Sequence, residues 1–132
     1  RNHNELNKRL FWLENISDEY LKKIYDISTC LIAASYGEGF GLPLIEAAQH
    51  KLPVIARDIP VFREVASKYA FYFVANKPSE LAQAVLAWLA LYEKGKHVKS
   101  DAMPWLTWEE SARQLLEALG LKLVSKTSTI KK

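Results

Sequence analysis

A chain of 132 residues with 18 lysines and arginines against 15 aspartates and glutamates carries a net charge of only +3, too little to argue for nucleic acid as a partner. With 49% hydrophobic and 25% charged residues, it has the composition of one globular domain with a real core, not of a disordered or fibrous chain. A single cysteine excludes an internal disulfide, and no apolar run nears the ~20 residues of a membrane span. No signal-peptide pattern opens the chain, so a cytoplasmic setting is the default expectation.

Residues 1–8 are polar and read as a frayed end. Leu10-Phe11-Trp12-Leu13, within 9–14, reads as a first strand. Ser17 then offers an N-cap, with Asp18 and Glu19 in the first turn and Ile16 and Leu21 at the two positions of a hydrophobic staple. The helix continues through Leu21, Ile24 and Ile27 and yields to a buried strand at 30–34, whose Cys30 is read as core. Pro53-Val54-Ile55-Ala56 is a third strand and Arg57-Asp58-Ile59-Pro60 a turn. Pro60 starts a short helix through Val65, and 70–74 is a fourth strand, aromatic and β-branched.

Ser79 is placed as the cap of a helix whose Leu81, Val85, Trp88, Leu89 and Tyr92 repeat with helical period, and Trp88 is assigned to the core. The basic stretch 94–100 reads as a solvated loop. Thr107 and Glu110 form a capping box for a last helix with an apolar stripe of Trp108, Ala112, Leu115, Leu116 and Leu119, closed by Gly120. The lysine- and Ser/Thr-rich stretch 121–132 reads as a tail or linker. Alternating strands and helices predict an α/β fold: a Rossmann-like parallel sheet of about four strands with helices on both faces, spanning 9–120. Ligands of such sheets bind beyond the carboxyl ends of the strands.

The 30–34 strand delivers its carboxyl end into Tyr36-Gly37-Glu38-Gly39-Phe40-Gly41, and Leu42-Pro43 then opens a helix that ends near His50. Glycines at 37, 39 and 41 allow a tight turn and close backbone approach to a ligand. Pro43 sits early in the helix, where its missing N–H costs nothing. A helix start after such a turn suits an anion such as a diphosphate. Neither a dinucleotide fingerprint nor a Walker loop is present. Glu38 in the turn and Glu46 in the helix suit hydroxyl pairs better than phosphates. Read alone, they fit a solvated loop charge and a surface helix residue equally well. The histidines at 3, 50 and 97 are too scattered for a metal set, and His50 is expected to make only a dipole contact at the helix end.

Glu38 through Glu46 resembles the E-x7-E motif of the retaining GT-B glycosyltransferases, in particular glycosyltransferase family 4. The resemblance extends to Phe11-Trp12-Leu13, Ser17 to Leu21 and Ile24-Tyr25 before the motif. After it come Leu52 to Ala56, Pro60 to Ala66, and Trp108 with Ser111-Ala112, so that about residues 9–119 are covered. It implies that Glu46 bonds ribose hydroxyls, that Glu38 meets the transferred sugar, and that the backbone at Gly39, Phe40, Gly41 and Leu42 faces sugar and diphosphate. It implies retention of anomeric configuration, with positive charge and no required metal or cofactor stabilising the leaving diphosphate.

The resemblance also implies a nucleotide-sugar co-substrate, GDP-mannose first and a UDP-sugar next, since 57–64 resembles bacterial enzymes of surface polysaccharide and lipopolysaccharide synthesis. A glycan or lipid-linked acceptor is the partner, with the complete enzyme in the cytoplasm or peripheral at the inner membrane face. The family's basic pair, its N-terminal domain and the first units of its second domain have no counterpart among these residues. The chain is therefore expected to be a partial donor-binding domain, inactive alone and prone to self-association through an open edge or the tryptophan-bearing helix. Lys51 stands where the family usually has a glycine, which puts the helix end in question. A non-catalytic nucleotide-sugar-binding or assembly module is the alternative. A sugar-nucleotide epimerase of related architecture comes third, disfavoured by the E-x7-E spacing.

Overall fold

The computed structural model describes residues 3–121. Their elements run in chain order as helix α1 (Asp18–Ile27), strand β1 (Leu31–Ala33), α2 (Leu42–Gln49), β2 (Val54–Arg57), α3 (Pro60–Ala66), β3 (Phe71–Phe73), α4 (Pro78–Glu93) and α5 (Trp108–Ala118). The strands form one parallel sheet in the order β1-β2-β3, with Ile32 opposite Ile55 and Ile55 opposite Phe71. The α/β class and the parallel sheet are as expected, with three strands among the described residues instead of about four.

The strand expected at 9–14 is the one that does not form. Asn7 and Asn15 take left-handed backbone conformations on either side of it, and its pairing is limited to an isolated bridge between Leu6 and Leu10. An extended apolar segment becomes a strand only against a neighbour. Here Leu10, Phe11, Trp12 and Leu13 lie beside no described strand and stay exposed, Trp12 by 65%. Its indole donates instead to Glu14, two residues on, at 2.9 Å.

The central strand β2 is buried along its whole length, and its alternation divides the core in two. Val54 and Ala56 face a cluster with Leu44, Ala47, Phe62 and Ala66 from α2 and α3. Ile55 faces the other side, among Phe73, Ala75 and Trp88, where α4 supplies the cover. Cys30 packs against this second cluster, and burial pushes its thiol up from the ordinary range, in keeping with a core residue.

Local signals account for most boundaries. Ser17 Oγ accepts from Tyr20 N–H at 3.3 Å, and Thr107 and Glu110 exchange both bonds of the capping box, at 2.7 and 3.1 Å. Gly120 closes α5 at φ 69°. The turn after β2 is held by Asp58 and Arg63, paired at 2.7 and 2.8 Å. The start of α4 corrects the reading of Ser79 as a cap. Pro78 is its first residue, Lys77 the N-cap, and Glu80 reaches back to the N–H groups of Asn76 and Lys77 at 2.6 and 3.2 Å. Proline's fixed φ at the first helical position prevails over the serine behind it.

The 94–100 stretch is also more than a solvated loop. Its three lysines are exposed, but His97 turns in against Trp88 and Tyr92, and buried Ser100 donates to the Leu52 carbonyl at 2.6 Å.

Helix α2 ends where expected, with His50 as its C-cap. Leu52 N–H returns to the Ala47 carbonyl at 2.9 Å and Lys51 N–H to Ala48 at 3.0 Å, the paired bonds of a Schellman ending. That geometry puts Lys51 at φ 55°, in the region glycine occupies without penalty. The ending therefore forms with lysine at a cost of about 1–2 kcal/mol, offset by the burial of Leu52 in the first cluster. The expected tail at 121–132 falls outside the described residues, apart from Leu121.

Candidate substrate-binding site

The site is built where β1, β2 and β3 end. Beyond Ala33 the chain leaves the sheet through Ser35 and Tyr36, crosses an exposed turn, and enters α2 at Leu42. Of the turn's three glycines only Gly41 adopts a positive φ, 65°. It is the N-cap of α2, and a Cβ there would meet Val65 Cγ2 at 3.3 Å and Phe62 Cδ1 at 3.6 Å. Backbone conformation and the close approach of α3 both require glycine at this position. At Gly37 and Gly39 a Cβ would meet nothing within 4 Å, so the turn stands open to solvent there. Among the described residues no side chain caps the start of α2. Pro43 carries no N–H and the Leu44 N–H is taken by the Gly41 carbonyl at 3.0 Å, so of its first three residues Leu42 supplies the N–H that faces the turn.

The six residues singled out from the sequence divide into two groups. Phe40, Leu42 and Glu46 line one cleft of ≈ 590 Å³, shared with Trp108 and Leu106 from the α5 side. Phe40 and Trp108 are largely exposed within it. Glu38, Gly39 and Gly41 are not among the cleft's lining residues. Glu38 Oε1 instead accepts from the adjacent Gly39 N–H at 3.2 Å on the exposed turn.

Glu46 is more tightly placed. Its Oε2 accepts from the Tyr25 hydroxyl at 2.8 Å, joining α1 to α2. Burial first, then the hydrogen bond and charge of Glu46, push the Tyr25 phenol well above the ordinary tyrosine range. The Tyr25 ring stacks on His50 at 5.3 Å between centroids, the planes inclined by 20°. His50 Nδ1 lies 2.6 Å from Asp26 Oδ1. His50 thus does more than end a helix: it and Asp26 brace the tyrosine that holds Glu46. The quartet pairs neighbours on α1 with Glu46 of α2 and, four residues on, its C-cap His50, a spacing visible in the sequence once the two helices are known to face each other.

Arg57 is a further residue that sequence reasoning placed wrongly. Expected in a turn, it is the last residue of β2 and buried. Its Nε donates to the Ala34 carbonyl at 3.0 Å and Nη1 to the Ala75 carbonyl, so it bridges the segments that follow β1 and β3. Its guanidinium carbon lies 3.9 Å from the centroid of the Tyr36 ring at the base of the turn. Among the described residues no carboxylate pairs with it. The sequence signal was the charge directly after three apolar strand residues, at the carboxyl end of a parallel strand.

The family model for glycosyl transferases group 1 matches residues 2–103. The chain is similar to the serotype-specific mannosyltransferase WbdA of Escherichia coli, 60% identical over 119 residues that make up 90% of this chain and 15% of that protein. It is also similar to the O-antigen chain mannosyltransferase RfbU of Salmonella typhimurium (strain LT2), 43% identical over 68 residues, 52% of this chain and 19% of that protein. The chain therefore spans about 15% of the length of the first of these relatives. A match over residues 2–103, on a parallel α/β sheet with a Gly-rich turn at its carboxyl end, places this chain among the group 1 glycosyltransferases.

Proposed function

We propose that this chain is the donor-binding part of a retaining hexosyltransferase of surface polysaccharide synthesis, with GDP-mannose the favoured donor and a UDP-sugar next. The observation that carries the reading is the seat of Glu46. One of its carboxylate oxygens is engaged by Tyr25, on a side chain that lines the cleft beginning at Phe40 and Leu42. A carboxylate held there is an acceptor for ribose hydroxyls. The backbone at Gly39, Phe40, Gly41 and Leu42 would face the sugar and the diphosphate, and Glu38 would receive the hydroxyls of the sugar being transferred. The preference for mannose draws on the two relatives, both named as mannosyltransferases.

The acceptor, a glycan or lipid-linked sugar, would be brought by a further domain, for which the greater length of the relatives leaves room. The complete enzyme would work in the cytoplasm or at the inner membrane face. No helix among the described residues is long and apolar enough to cross a membrane. The 132 residues by themselves are expected to bind donor without transferring sugar.

Calorimetric titration with GDP and UDP tests the reading. Glu46→Ala removes a charge-assisted acceptor worth ~1.5–3 kcal/mol, so the Kd for GDP should rise roughly 10- to 150-fold. An unchanged Kd would remove Glu46 from the ribose role. GDP binding more tightly than UDP would support the mannose assignment, and the reverse order would overturn it.

The surface of α5 bears on assembly. Its expected apolar stripe forms, but no residue of the helix is fully buried among the described residues, and Trp108 is 82% exposed. Exposed apolar surface of this kind favours association. Light scattering on the purified chain should therefore show mass rising with concentration, and Trp108→Glu should return it to a monomer. A monomer at high concentration in the unaltered chain would overturn that expectation.

A further inference from the structure

The hydrogen bond between Tyr25 and Glu46 has a geometry that bears on ligand selection. Tyr25 reaches 21 residues along the chain to engage Oε2 alone, and no hydrogen bond to Oε1 is seen among the described residues. The phenol is the donor, so its partner is held as an acceptor and in one rotamer. The ring that carries the hydroxyl is itself fixed, stacked on His50, and His50 is fixed in turn by Asp26 at 2.6 Å. Tyr25 and Asp26 of α1, with Glu46 of α2 and its C-cap His50, thus form a chain of contacts that ends on one carboxylate oxygen. A surface glutamate needs no such support, whereas one that must present its second oxygen at a set place does.

Resting on the reading of Glu46 as the ribose acceptor, we infer that Tyr25 is a positioning residue for donor recognition. It occupies Oε2 and presents Oε1 of Glu46 to the ribose hydroxyls. The consequence is a form of selectivity: Tyr25 contributes to the affinity for a ribonucleotide and contributes nothing to a nucleotide without ribose hydroxyls. A role confined to holding α1 against α2 would lower both affinities together.

The experiment is calorimetry of the chain with GDP and with 2′,3′-dideoxy-GDP, for the unaltered protein, Tyr25→Phe, Glu46→Ala and the double variant. Phenylalanine keeps the ring that stacks on His50, and circular dichroism checks that the fold is retained. Tyr25→Phe should weaken GDP binding roughly three- to tenfold, leave the dideoxy nucleotide unchanged, and have no further effect in the Glu46→Ala background. Equal losses for both nucleotides, or a full Tyr25→Phe effect in the absence of Glu46, would overturn the inference while leaving the role of Glu46 intact. Equal affinity of the unaltered chain for GDP and its dideoxy analogue would overturn the ribose reading and this inference with it.

Discussion

Trp88→Ala is expected to lower the stability of this fold by about 3–5 kcal/mol, a large part of what a domain of this size possesses. Trp88 is 0% exposed and is the largest side chain in the cluster it shares with Ile55, Phe73 and Ala75. Among the described residues no other helix residue is fully buried in that cluster, and Leu81 and Ala84 of α4 pack against it only while partly buried, so the second face of the sheet has little to collapse into the space left by the indole. The loss also reaches the stretch after α4, because Trp88 stacks on Tyr92 at 5.1 Å and meets the edge of His97 at 5.8 Å. Its Nε1 is buried without a hydrogen-bond partner among the described residues, so Trp88→Phe, which removes that donor, should cost much less. Urea denaturation followed by circular dichroism measures both. A loss below about 1 kcal/mol for Trp88→Ala would mean that α4 is not what covers this face.

The second large effect is expected at Arg57. Arg57→Met keeps an apolar stem of similar length and deletes the two donors that serve the Ala34 and Ala75 carbonyls. The Ala75 carbonyl, left buried and unpaired, costs about 1–3 kcal/mol, and the part-buried Ala34 carbonyl adds a smaller loss. Part of this is offset, because the variant no longer buries a cation. The guanidinium is weakly hydrated and already well bonded here, so that offset is the smaller effect. A net loss of about 2–4 kcal/mol is expected, again by denaturant titration. The turn should loosen as well, since Tyr36 rests on the guanidinium and is otherwise 73% exposed. Limited proteolysis within 35–40 should become faster in Arg57→Met at a denaturant-free pH where both proteins are folded. Unaltered stability and unaltered cleavage would show that water replaces the arginine without loss.

Both residues show what a sequence discloses and what it withholds. Trp88 was legible as core because its helix repeats with a clear period, and α2 was legible because Gly41, Leu42 and Pro43 mark its start in successive residues. The capping box at Thr107 and Glu110 is likewise a local signal spanning four positions. What could not be read depends on partners distant in the chain. The 9–14 run has the composition of a strand and lacks a neighbour to pair with. Arg57 looks like a turn residue until strands β1 and β3 bring Ala34 and Ala75 to either side of it. The carboxylate of Glu46 was legible as a candidate, but its hydrogen-bond donor comes from α1, 21 residues earlier. Ser79 was misread for a different reason: two local rules competed, and the proline's fixed backbone angle prevailed.

The Schellman ending of α2 also sets a rule of length. Its last bond, from Leu52 to Ala47, is separated from the first residue of β2 by Pro53 alone, so helix and strand are joined with almost no slack. Leu52 is further pinned through its carbonyl by Ser100. Deleting or inserting one residue here could not be absorbed by a flexible connection. It would displace β2 by one position and exchange its two faces, turning Val54 and Ala56 toward Trp88 and Ile55 toward Phe62. Substitutions at Lys51 can be tolerated because they alter only a local backbone preference, whereas the number of residues between Gln49 and Val54 is a dimension of the fold.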